Sequence, residues 1–143
     1  MISSVVNQIM VAVVAALTNA TDAGSRVYRS RTVAISRGET PCIAVTPHRE
    51  ETTAFGQDVD KNVFDIEVEI FVRGDPFDEL ADPILAQVHR LLKNDPGVNA
   101  LLTEIRKKDK DWDAQEADET AGVVVTTYQV RYLSSANDIT VLV

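Results

Sequence analysis

The chain has few of the residues on which covalent stapling and active-site chemistry depend. Among 143 residues there is one cysteine, Cys42, with two histidines, six glycines and 6% aromatics. A lone cysteine makes no internal disulfide, which fits synthesis in a reducing compartment. The glycines are dispersed, so no G-x-G-x-x-G or G-x-x-x-x-G-K-[ST] brings backbone amides around a phosphate. The longest apolar run, Ile9 to Leu17, is about half of what a bilayer crossing requires. No base precedes Arg26 to make a secretory n-region, so neither membrane insertion nor secretion is expected.

Basic residues are also in the minority, with 14 Lys and Arg against 22 Asp and Glu, a formal charge of −8. That balance argues against general affinity for nucleic acid, which rests on clustered cations displacing counterions. An acidic surface lining a passage would instead let a polyanion move without sticking. The rest of the composition, 45% hydrophobic and 25% charged, is that of an ordinary globular domain. A chain of this length buries roughly two thirds of its unfolded surface and needs no staple. No repeat or linker divides it, so a single domain over residues 1–143 is expected, with 134–143 a short strand or an arm.

Val5, Val6, Ile9, Met10, Val13, Val14 and Leu17 form one helical face, with Ser3 or Ser4 as cap and a turn-rich end at Thr18 to Gly24. Two short strands are expected next, Val27–Ile35 and Cys42–Pro47, separated by Ser36 to Pro41, where Gly38 and Pro41 interrupt any regular element. A polar loop from His48 to Asn62 leads into "VFDIEVEIFVR", whose strict alternation predicts a strand over Val63–Arg73 with Phe64, Ile66, Val68, Ile70 and Val72 facing the core. "DPFDELADPILAQVHRLLKNDPG" reads as a helix capped by Asp75 with Pro76 at its first position. Leu80, Ile84, Leu85, Val88, Leu91 and Leu92 make its buried stripe, and Pro83 should kink or restart it. A short helix from Val98 to about Ile105, an edge strand around Trp112 and a strand over Val123–Leu133 complete the expectation.

Few of the reactive groups are placed for chemistry. Cys42 and His48 lie about 20 Å apart if both sit on one strand, too far for a nucleophile and its base. His48, Glu50 and Glu51 lack the ligand spacings of zinc or calcium sites. His89 falls at the edge of the helix stripe, and Asp78, Glu79 and Asp82 suit the first turns of a helix. The bases Arg106, Lys107, Lys108 and Lys110 run into the acids Asp111, Asp113, Glu116, Asp118 and Glu119, and could pair with such a run in a neighbouring chain. Trp112 has no second aromatic beside it to form a stacking platform and reads as a packing or interface residue.

Asp65, Glu67 and Glu69 recur about 7 Å apart along one strand face, too far apart to share a proton. A glycosidase would need an aromatic cleft around such a row. The remaining readings are a solvated face, or a face turned to another chain with Arg29, Arg31 or Arg131 as counter-charges.

The order of these elements resembles the tail terminator family of long-tailed phages, the lambda minor tail protein U type. The resemblance runs over residues 5–133. It is carried by the N-terminal helix, "VYRSRTVAISRGETPCIAV", "NVFDIEVEIFVRG", "DELADPILAQVHRLLKNDPGVNALLTEI" and "DWDAQEADETAGVVVTTYQVRYL". It implies an α/β (α+β) domain with a mixed, mainly antiparallel sheet and helices packed on it. It also implies a ring of six copies that caps the tail tube at the head-proximal end of the virion, stops its growth and meets the head-tail connector protein. Genomic DNA would pass through the lumen, synthesis would be in the host cytoplasm, and neither cofactor nor catalytic residue comes with the family. A head-tail joining protein of the neck shares much of this pattern, and the alternatives of a different class are a small hydrolase using His89 with a carboxylate or Cys42, or a monomeric ligand-binding domain.

Overall fold

The structure, a computed structural model, describes residues 3–115 and 121–143. Helix α1, Val5–Leu17, begins where the Ser4 hydroxyl accepts the Asn7 amide at 3.1 Å, and buries Val5, Ile9, Met10, Val13 and Leu17. After it come strands β1 (Val27–Arg29), β2 (Cys42–Ala54) and β3 (Val59–Arg73), with a single 3-10 turn at Arg37–Glu39. Helices α2 (Phe77–Asn94) and α3 (Pro96–Asn99) follow, then β4 (Glu104–Gln115), β5 (Ala121–Ser135) and β6 (Asp138–Leu142).

The result is a single α+β domain with a mixed sheet in the order β1-β2-β3-β5-β4. Among the described residues only the β1 and β2 pair is parallel, and β6 pairs with the far end of β5. The helices cover one face. Phe64, Ile66, Val68, Ile70 and Val72 of β3 all point to that side, as the alternation requires, and join Ile84, Leu85, Val88, Val124, Tyr128 and Val130 in the core. Asp65, Glu67 and Glu69 therefore lie on the opposite, outer face.

Several local expectations are corrected. β1 stops at Arg29 because Ser30, at φ 50°, turns the chain out of the sheet, and residues 31–40 fold back against it. His48 to Asn62 is no loop: β2 continues to Ala54 and pairs residue by residue with β3 as far as Asp60. The β2 arm from His48 to Ala54 is exposed on both sides, so it carries no core-facing alternation. The helix expected over 98–105 runs only over Pro96–Asn99, its start capped by the Asp95 carboxylate accepting from the Val98 amide, and the chain becomes β4 from Glu104. α2 starts at Phe77 with no side-chain cap from Asp75, and runs as one element through Pro83. Pro83 is exposed, where water can bond the Glu79 carbonyl that its missing N–H leaves open. Leu80 is exposed rather than part of the buried stripe. Within the ambiguous 134–143 segment, Ser134 and Ser135 end β5 and Asp138–Leu142 form β6, tied to α1 by the Gln8 side-chain amide donating to the Thr140 carbonyl at 3.2 Å. Glu116, Asp118 and Glu119 lie outside the described residues.

Candidate functional site

The outer face is built from residues that share register across four strands, since directly opposed residues project to the same side. Asp65 sits opposite Arg49 and Gln129, Glu67 opposite Thr46 and Thr127, and Glu69 opposite Ala44 and Val125. On β4, Asp109, Asp111 and Asp113 face Thr127, Val125 and Val123, which sets a second row of carboxylates parallel to the first.

Two of the three acids of the row Asp65, Glu67 and Glu69 are met by a base from their own chain, and both bases come from bulges. The register of β4 shifts between Lys107 and Asp109, and the extra residue, Lys108, reaches over β5 to place Nζ 2.9 Å from Asp65 Oδ2. The register of β2 shifts between Pro47 and Arg49, and there His48 Nδ1 lies 3.6 Å from Glu67 Oε1. A bulge is the device that re-aims a side chain out of the pleat. Neither base had been paired with the row from sequence, because strand partners distant along the chain leave no local pattern. The one available signal was the basic cluster containing Lys108.

Glu69 is different. Among the described residues no base lies within ion-pair distance of it, and burial, followed by the charge of Glu67, raises its carboxyl above the usual range. It opens onto a cavity of about 320 Å³ between the sheet and the folded-back 31–40 segment, lined by Arg31, Val33, Ile35, Ala44 and Arg73 among others. Arg73 Nε is buried in the fold without a hydrogen-bond partner among the described residues.

The arginines singled out from sequence divide. Arg31 donates to the Glu39 carboxylate from Nη2 at 2.8 Å and lies over the Tyr28 ring, which holds the 31–40 segment in place. Those bonds keep the Glu39 carboxyl well below the ordinary carboxylate range. Arg131 lies 3.9 Å from Glu104 and donates to Gln129. Arg29, at the end of β1, is exposed. Trp112 is 55% exposed on the helix side of β4, with Lys110 Nζ 4.7 Å from its ring centroid.

The groups considered for catalysis are bound into the fold. Cys42 is fully buried and its thiol is pushed up to about 11, so little thiolate exists near neutrality. His89 Nδ1 shares a 3.0 Å hydrogen bond with the buried Tyr128 hydroxyl, whose pKa burial raises to about 12. Burial, with Lys107 and Lys93 nearby, lowers the His89 pKa and favours its neutral form. No group of three or more His, Cys, Asp or Glu among the described residues could hold a metal ion. No helix among them is long and apolar enough to cross a membrane.

What the geometry displays is an α+β domain whose outer sheet face carries two rows of carboxylates. The chain belongs to the phage minor tail protein U family, whose model matches residues 4–132. It is thus a structural, non-enzymatic protein of the phage tail, and its place is in the virion tail. No curated protein matches the chain.

Proposed function

We propose that this protein caps the tail tube as a closed homo-oligomeric ring of six copies, terminates tube polymerisation and presents the surface on which the head connector docks. The observation that carries this reading is the family match over residues 4–132. The edge of the outer face away from Glu69 fits it: the exposed carboxylates of β4, Asp109, Asp111 and Asp113, can line a lumen through which genomic DNA slides without adhering. The ring sits at the head-proximal end of the tail, with tail tube protein below it and the connector above.

The test is light scattering of the purified protein across concentration, with and without tail tube protein polymerising beside it. A mass of about six subunits, with tubes that stop at a defined length, is the expected result. A protein that stays monomeric and leaves tube growth unchanged overturns the terminator reading and favours a head-tail joining role in the neck.

A further inference from the structure

A second charged surface lies on the opposite side of the molecule from Glu69. Along the seam between α2 and β4, Arg90 and Lys93 are exposed on the helix, and Lys107 is exposed on the strand. Lys107 and Lys93 both act on His89, and Lys110 sits over Trp112, so these side chains share the helix-side face. Among the described residues none of the four bases has a carboxylate within ion-pair distance, although Lys93 donates to the Ile105 carbonyl at 2.7 Å. The bases at Lys108, Arg49 and Arg106 are paired with Asp65, Glu51 and Glu104 respectively.

The molecule thus carries uncompensated cations on one side of its sheet and an uncompensated, half-buried carboxylate beside a cavity on the other. Exposed charges in water need no partner, but a carboxylate drawn out of water without a base is disfavoured, and a cation delivered to it recovers that cost. The same chain owns the complementary strip. Because the two surfaces differ and face opposite ways, their union is heterologous, the geometry that closes into rings.

We infer that the subunit contact is made by the α2–β4 strip of one copy, with Lys107, Lys110 and Trp112, docking on the outer face of the next, where a lysine of the strip seats over Glu69. The inference rests on the ring reading and names the surfaces that build it. Trp112 loses its exposure in this contact, and the 31–40 segment, clamped by Arg31 and Glu39, forms the far wall of the socket.

Charge reversal tests it in the presence of tail tube protein. Glu69→Lys alone opposes cations, and Lys107→Glu with Lys110→Glu alone opposes acids, so each variant should lose assembly while keeping wild-type cooperative unfolding. Mixed one to one, the two variants should assemble again, since every contact then pairs opposite signs. Glu69→Gln, which introduces no repulsion, should raise the concentration for half-assembly about tenfold, the size of one close interfacial charge pair. In the wild type, the emission of the only tryptophan, Trp112, should shift to the blue on assembly.

If the wild type assembles and both reversal variants do so equally well, or if the mixture fails to recover, this contact is wrong and the ring stands. If the variants still self-assemble but no longer cap tubes, the face belongs to the tube protein and the inference is overturned. A wild type that never assembles removes the ring, and this contact with it.

Discussion

Lys108 and Asp65 are 43 positions apart in sequence and belong to strands that do not touch, yet their side chains meet at 2.9 Å over the intervening strand β5. The Asp65 side chain is 13% exposed and that of Lys108 48%, so the pair lies between a screened surface bridge and a buried one. A double-mutant cycle of Asp65→Asn and Lys108→Met should give a small stabilising coupling, read from urea midpoints. A coupling near zero would mean that water screens the pair.

Gly122 should resist any side chain. A Cβ there would overlap the Phe77 ring, where the start of α2 presses on β5. Gly122→Ala is expected to cost about 1–3 kcal/mol through overpacking, and Phe77→Ala in the same chain should return part of that loss. Thermal unfolding of the single and double variants decides it.

Thr126 offers the opposite case. Its hydroxyl is fully buried and bonds nothing among the described residues. Thr126→Val keeps the shape and removes the unmet polar group, so stability should be unchanged or rise by up to about 1 kcal/mol. A loss above that size would reveal a partner for the hydroxyl.

The raised pKa of Glu69 sets the sign of a pH effect. The folded chain holds this proton more tightly than the unfolded chain does, so the native state is favoured at and below the unfolded carboxylate range, about pH 4, and loses that advantage as pH rises through the folded value. In the unassembled protein, Glu69→Gln should therefore be more stable than wild type at pH 7, with the gap closing toward pH 4. Denaturation midpoints across that range provide the check, and a gap that widens on acidification would reverse the assignment.

Much of this architecture was legible where an element has one wet and one dry side. The stripe of α1, the alternation of β3 and the β-branched run of β5 each announce a single buried face, and all three were found where expected. The second half of β2 was missed because Glu50 to Ala54 is exposed on both sides, so no apolar period marks it. β4 was read only as an edge around Trp112, because its exposed charged residues obey the needs of an edge rather than a core. Leu80 was misassigned because the helical period alone does not show where a helix overhangs its sheet. The acid row was visible from spacing, whereas its bases were not, since each projects from a bulge that only pairing reveals.

Those bulges bear on how the chain tolerates changes in its own length. Losing one residue inside a strand normally sends every side chain beyond it to the other face. Here Lys107 and Asp109 already oppose adjacent residues of β5, Tyr128 and Thr127, and Pro47 and Arg49 likewise oppose Ile66 and Asp65 on β3. Excising Lys108 or His48 would close each ladder into a regular one while leaving Asp109, Asp111 and Asp113 outward and Trp112 on the helix side. Two strand interiors can thus shed a residue, and with it one base of the outer face, without exchanging the protein's two surfaces.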